Sequence, residues 1–168
     1  MARTARGDER AFRTLAERHA GRALRLARRI LGNEALAEDI VQDALLRVWT
    51  NAPRWRPEAA FRTWLYRVVV NLCLNAKRRA SDLPLDAAAA VADPAAAADT
   101  QLEARERDRR LAAAIGALPE RQRAAIVLSY QEGLSNAEIA AVLETSVSSV
   151  ETLLVRAKRT LRTRLGDL

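Results

Sequence analysis

Near the middle of the chain, "SDLPLDAAAAVADPAAAADTQLEA" (81–104) runs without a basic residue, with two prolines, repeated Asp and Ala, and few large apolar side chains. A stretch like this cannot bury enough apolar surface to offset the entropy lost on ordering. Its composition is that of a linker, although the Ala runs can form transient helical turns. The rest of the chain must therefore build its cores on either side, in residues 1–80 and 105–168.

Charge follows the same division. Residues 1–80 carry a net +9, residues 81–110 a net −3 and residues 111–168 a net +1, for +7 overall. A chain of 168 residues that is this basic suggests a polyanionic partner, most often nucleic acid. Absences narrow the classes further. With one cysteine, Cys73, and one histidine, His19, the chain can form neither an internal disulfide nor a Cys/His zinc cluster. No run of about 18 apolar residues is present to span a membrane. The first ten residues, "MARTARGDER", lack the apolar core of a signal peptide. A reducing, cytoplasmic setting is expected, with no membrane insertion, no metal and no cofactor.

Both flanks have helical periodicity. Phe12, Leu15, Ala16 and His19, then Leu24, Ala27, Ile30 and Leu31, predict a first helix that stops at Gly32. A second, over about Glu34–Trp49, repeats Ala37, Ile40, Val41, Ala44, Leu45 and Val48 at i, i+3, i+4, i+7 spacing. A loop, "TNAPRWRPEAA", leads into a third helix, "FRTWLYRVVVNLCLNAKRR" (61–79). There the predicted buried stripe is Phe61, Trp64, Leu65, Val68 and Leu72. Arg67, Asn71, Asn75 and Arg78 fall at i, i+4, i+8 and i+11 as a polar line on another face. In the second flank, helices are predicted over about Leu102–Leu118 and Glu120–Gln131, the latter stopping at Gly133. No segment alternates with period two long enough to argue a strand. The expected class is all-α: two small helical domains joined by a flexible acidic linker, the second containing a helix-turn-helix.

That motif lies in "LSNAEIAAVLETSVSSVETLLVRAKR". Ser135 and Glu138 have capping-box spacing, each able to satisfy a backbone N–H freed at the helix start. Ala137, Ala140 and Ala141 permit close packing, and Leu143, Val147 and Val150 are expected to fill the angle between the helices. Ser148 and Glu151 repeat the capping-box spacing, with Thr145 and Ser146 as alternative caps. The last helix would expose Ser148, Ser149, Glu151, Thr152, Arg156, Lys158 and Arg159. Short polar residues near its N-terminus suit base edges, and the basic ones suit phosphates. Glu151 would be repelled by phosphate, and could instead accept from a cytosine amino group or cap the helix.

The second helix runs against the basic trend of its domain. Glu34, Glu38, Asp39 and Asp43 lie within ten residues, with Gln42 and Leu46 on the same side. Acid near a helix N-terminus is favourable in any protein, and Asp43 with Arg47 is a routine i, i+4 pair, so a merely solvated face accounts for it too. A patch of that sign cannot lie along DNA; a partner there would be a protein.

In this order the motifs resemble the bacterial sigma factors of RNA polymerase, of the small extracytoplasmic-function (ECF) group. "AEDIVQDALLRVW" (37–49) resembles the helix of the first conserved domain that docks on the polymerase clamp. "FRTWLYRVVVNLCLNAKRR" resembles the segment that melts and reads the −10 promoter element. "LPERQRAAIVLSYQEGLSNAEIAAVL" (118–143) resembles the start of the second conserved domain, and "SVSSVETLLVRAKRTLRTRL" (146–165) its −35 recognition helix. The resemblance implies polymerase contacts at Asp39, Gln42, Asp43 and Leu46. It implies −10 contacts at Trp55, Arg56, Arg67, Asn71, Asn75 and Arg78, with Trp55 and Arg56 in the loop that pockets a flipped base. It implies −35 contacts along the exposed set from Ser148 to Arg159. It further implies partnership with core RNA polymerase and promoter DNA, regulation by an anti-sigma protein, and a linker threading toward the RNA exit path. Glu151 and Leu153 stand where the family often has basic residues.

No nucleophile and base are assembled by the sequence, and its six glycines form no phosphate-cradling loop, so the chain is not expected to be an enzyme. Reading an opened promoter instead needs stacking surfaces and polar groups that can meet an exposed base edge. Five of the seven aromatics lie between Trp49 and Tyr66. Trp49, Phe61 and Trp64 fall on apolar stripes and are expected in the core, leaving Trp55 as the surface aromatic. The other reading left open is a freestanding helix-turn-helix regulator that binds operator DNA as a dimer.

Overall fold

The computed structural model describes residues 1–56, 60–81 and 99–166, with side chains described up to 79 in the second stretch and from 106 in the third. The central part of the expected linker, 82–98, lies outside the described residues. Seven α-helices and two 3-10 turns make up the regular structure of the described residues.

The N-terminal domain is built from α1 (Glu9–Leu31), α2 (Glu34–Asn51) and α3 (Phe61–Ser81). Asp8 caps α1, its Oδ1 accepting from the Ala11 N–H at 2.9 Å. The Arg3 guanidinium holds that carboxylate from the other side at 2.8 Å. The Ala11 N–H and Arg3 together pull the Asp8 pKa below the usual carboxylate range. At the other end Gly32, at φ +68°, ends α1 in a left-handed turn. Asn33 then starts α2, its Oδ1 accepting from the Leu36 N–H at 3.0 Å. Two adjacent residues thus stop one helix and start the next, which sets α1 and α2 side by side. Leu26 and Ile30 of α1, Ile40, Val41 and Val48 of α2, and Leu65, Tyr66, Val69 and Val70 of α3 form the buried centre. Each such aliphatic side chain contributes about 1.5–3 kcal/mol when fully buried.

The C-terminal domain comprises α4 (Asp99–Gly116), α5 (Glu120–Tyr130), α6 (Asn136–Leu143) and α7 (Val147–Leu165). The backbone of 99–104, expected in the linker, is already helical, so α4 starts three residues before the predicted Leu102. On α5 the six consecutive residues from Arg123 to Leu128 are all buried. A helix buried on every side has other elements all round it, and α5 is packed by α6 and α7 of its own domain and by α1 and α3 of the other. The capping box of α6 forms as expected, with Ser135 and Glu138 exchanging hydrogen bonds. Ser146 is the cap of α7, settling the choice among Thr145, Ser146 and Ser148, and Glu151 takes no part in it. With Ser146 as cap, Val147 becomes the first helical residue and remains 43% exposed. Contrary to expectation, it is not buried in the angle of the motif, whereas Leu143 and Val150 are buried as expected.

The two domains share one continuous apolar core. At their junction sits Arg123, only 7% exposed. Its Nη1 donates to the Ile30 carbonyl at 2.6 Å, across the domain boundary. Its Nη2 donates to the Gly116 and Leu118 carbonyls. The Ile30 and Gly116 carbonyls lie at the C-termini of α1 and α4, where the macrodipole favours a cation, and the Leu118 carbonyl lies in the turn between α4 and α5. Burial pulls the guanidinium pKa down from its usual value, with Glu120 opposing.

Candidate nucleic-acid interface

A cleft of about 570 Å³ opens beside α3. One wall is the end of α2 and the turn after it. Ala52, fully buried, anchors the 3-10 turn Ala52–Arg54, and the Trp55 N–H donates back to the Ala52 carbonyl at 3.1 Å. That turn presents Asn51, Arg54, Trp55 and Arg56 to the cleft. The facing wall is α3 itself, with Trp64, Arg67, Val68, Asn71, Leu72 and Asn75. Their spacing, i, i+3, i+4, i+7, i+8 and i+11, is one face of a helix.

This face corrects the sequence reading of α3. The stripe expected in the core contained Phe61, Trp64, Leu65, Val68 and Leu72. Leu65 and Leu72 are buried as expected, but Tyr66, Val69, Val70 and Cys73 are the innermost residues beside Leu65, and Phe61, Trp64 and Val68 are only partly buried against the core. Trp64, Val68 and Leu72 line the cleft among the polar residues. Apolar side chains cover most of the circumference of α3, so periodicity alone could not say which stripe faces inward. The resulting wall has apolar ledges between amide and guanidinium groups. Such a surface can stack an unpaired base and meet its edge.

Phe12 and Phe61 are partly buried against the core and Trp49 is half-buried; Phe12 packs on Trp49 at 5.1 Å between ring centres, and His19 meets Phe61 edge-on at 5.0 Å. Burial, then Arg22, Arg18 and Arg62, keep the His19 pKa below its ordinary value. Cys73 is fully buried, and burial pushes its thiol up to about 12. Neither is placed for catalysis. No group of three or more His, Cys, Asp or Glu able to hold a metal occurs among the described residues.

The seven residues expected on the recognition helix are all exposed on α7. Ser148 and Ser149 are tied to the Ser146 hydroxyl, at 3.0 and 2.8 Å, and Thr152 Oγ1 donates to the Ser148 carbonyl at 3.0 Å. Lys158 lies over the Tyr130 ring, 5.4 Å from its centre. On α2, Asp39 and Gln42 are exposed, Asp43 holds Arg47 at 3.0 and 3.1 Å, and Leu46 is 60% exposed. These four share one face, so an isolated apolar side chain stands among carboxylates.

Two family models match the chain: Sigma-70 region 2 over residues 15–82 and Sigma-70 region 4 over residues 108–161. Over 97% of its length the chain is 33% identical to the ECF RNA polymerase sigma factor SigW of Bacillus subtilis, spanning 93% of that protein. The chain belongs to the ECF sigma factors. It is a promoter-directing transcription initiation factor, and the freestanding operator-binding reading is not favoured. This sigma factor is also 36% identical to SigE of Mycolicibacterium smegmatis over 96% of its length, spanning 65% of that relative. Among solved structures it resembles CnrH in complex with the cytosolic domain of CnrY, with a TM-score of 0.72 and 33% identity over 98% of this chain and 93% of that one. The structure of RpoE with the anti-sigma factor NepR from Bartonella quintana, at 20% identity over 94% of this chain and 99% of that chain and a TM-score of 0.72, shares the fold. No helix among the described residues is long and apolar enough to cross a membrane.

Several lining residues were not expected at this site from the sequence: Arg47, Asn51, Arg54, Thr63 and Ala141. The first three follow from the turn that closes α2. Ala141 comes from α6 of the other domain; the sequence marked it as a small residue permitting close packing, but not as a neighbour of this cleft.

Proposed function

We propose that this sigma factor acts in the cytoplasm by docking core RNA polymerase through α2 and by reading the two promoter elements with separate surfaces. Asp39, Gln42, Asp43 and Leu46 form the face for the polymerase clamp, where the carboxylates meet basic groups and Leu46 is buried on docking. Trp55 and Arg56, with Arg67, Asn71, Asn75 and Arg78, take the opened −10 strand. Ser148, Ser149, Glu151, Thr152, Arg156, Lys158 and Arg159 face the −35 duplex. The chain supplies discrimination and melting, and the polymerase supplies the chemistry.

The observation that carries the −10 assignment is the cleft itself: an aromatic turn faces an amide- and guanidinium-bearing helix across about 570 Å³, room for an unstacked base. Stacking one base is worth roughly 1–3 kcal/mol, comparable with opening a weak base-pair step. An anti-sigma protein is the expected regulator, supported by the likeness to CnrH in its CnrY complex. The test is run-off transcription by core polymerase with and without the chain on genomic promoter fragments. Chain-dependent, start-specific transcripts support the proposal. Tight duplex binding by the free chain that core polymerase does not enhance overturns it.

A further inference from the structure

Residues 1–8 form a small closed structure ahead of α1. The Ala5 N–H donates to the Met1 carbonyl at 2.8 Å and the Gly7 N–H to the Thr4 carbonyl at 2.9 Å, winding the segment into the 3-10 turn Thr4–Arg6. Gly7, at φ +82°, turns the chain out of it. Asp8 then buckles the segment to α1. Its Oδ1 caps the helix at the Ala11 N–H, while its Oδ2 accepts from Nε of Arg3 at 2.9 Å and pairs with Nη2 at 2.8 Å.

The buckled segment lies under the turn that faces the cleft. Thr4–Arg6 packs on Ala52–Arg54, and also on α1 and α2. Each turn has one buried residue, Thr4 at 2% exposure and Ala52 with none. Met1 is partly buried against the core beside them. The Thr4 hydroxyl has no hydrogen-bond partner among the described residues. A buried hydroxyl without a partner is disfavoured, so what Thr4 supplies at the joint is shape.

A single helical turn fixes several dihedral angles for few hydrogen bonds, so Ala52–Arg54 needs packing to hold it. Trp55 and Arg56 follow it directly into the cleft. A base that stacks on a side chain already in place avoids the cost of ordering that side chain. We propose that residues 1–8 are a buttress for the −10 turn: Thr4 and Arg3 are positioning residues that set Ala52–Arg54, and through it the angle at which Trp55 meets an unstacked base. This rests on the reading of Trp55 and Arg56 as −10 contacts.

The experiment uses the full chain with core polymerase on a promoter fragment that it transcribes. Permanganate reactivity of unpaired −10 thymines measures opening, and co-purification measures polymerase binding. The disrupting variant combines Thr4→Leu, which overfills the joint, with Arg3→Gln, which undoes the buckle. A control of equal charge combines Thr4→Val, which keeps the shape without the hydroxyl, with Arg6→Gln at an exposed residue. Trp55→Ala is made alone and together with the disrupting pair. Opening by the disrupting variant is expected to fall about tenfold, as for the loss of one stacked base, with the control at the wild-type level and polymerase binding unchanged in both. Added to Trp55→Ala, the disrupting pair should cause no further loss, because its effect runs through that side chain. Opening no lower than the control's, a loss that adds to that of Trp55→Ala, or weakened polymerase binding overturns the proposal while leaving the −10 reading in place. Unchanged opening by Trp55→Ala alone removes the −10 reading of the turn, and the buttress with it.

Discussion

The side-chain amide of Asn71 donates to Glu144 Oε2 at 3.0 Å, although 73 residues separate them in sequence. It joins the middle of α3 to the turn of the helix-turn-helix. Asn71 also lines the cleft together with Trp55. Asn71→Ala is expected to flatten the preference for one −10 base, and Trp55→Ala to lower promoter opening overall by about tenfold or more, the value of one stacked base. Run-off transcription from promoters varied one −10 position at a time checks both. An unchanged base profile for Asn71→Ala would remove it from the reading role.

On α2, Asp39→Arg with Asp43→Arg is expected to abolish binding to core polymerase while leaving the helical signal intact. Asp43 loses its partner Arg47, but that pair is exposed and costs at most about 1 kcal/mol. Co-purification with core polymerase, alongside circular dichroism, measures the two outcomes separately.

Arg123→Met should destabilise the chain by about 3 kcal/mol, because carbonyls from Ile30, Gly116 and Leu118 then lose their donor in a buried site. Arg123→Lys should recover less than half, since a point charge cannot reproduce the planar fork. Urea denaturation monitored by circular dichroism reads both.

Glu144→Gly should stabilise the fold by about 0.5–1 kcal/mol, since relief of the left-handed strain outweighs one exposed hydrogen bond. A fall in the urea midpoint would show instead that the Asn71 contact dominates.

Alkaline pH should weaken the fold through two buried groups. The Cys73 thiol has an ordinary pKa of 9.0 and is pushed by burial up to about 12. The Tyr66 phenol is raised above its ordinary 10.0 by burial and by its hydrogen bond to Glu132. In each case the unfolded chain gives up its proton first, so stability is full below pH 9 and declines as pH rises from there toward 12. Cys73→Ala and Tyr66→Phe should each flatten that decline in denaturation midpoints taken across the range. Equal slopes for variants and wild type would contradict the assignment.

What could be seen in the sequence was what acts locally. The Gly32 stop and the Ser135–Glu138 box depend on neighbours a few residues away, and both are present as expected. The α2 stripe was also clear, because its apolar residues cover only one side. On α3 the apolar residues go most of the way round, so the choice of core face was made by α1 and α2 and could not be heard in α3 alone. The cross-domain contacts were out of reach for the same reason. Tyr66–Glu132, Asn71–Glu144 and Arg123–Ile30 join residues 66, 73 and 93 positions apart, and each residue type is unremarkable where it stands.

Arg123 keeps two of its three acceptors within its own domain, at Gly116 and Leu118, and borrows only the Ile30 carbonyl from the other. When the domains come apart, the guanidinium is not orphaned: it stays docked at home and exchanges one carbonyl for water. At this one residue, parting the joint would strand no charge; what holds the domains together there is the shared apolar core, not the ion.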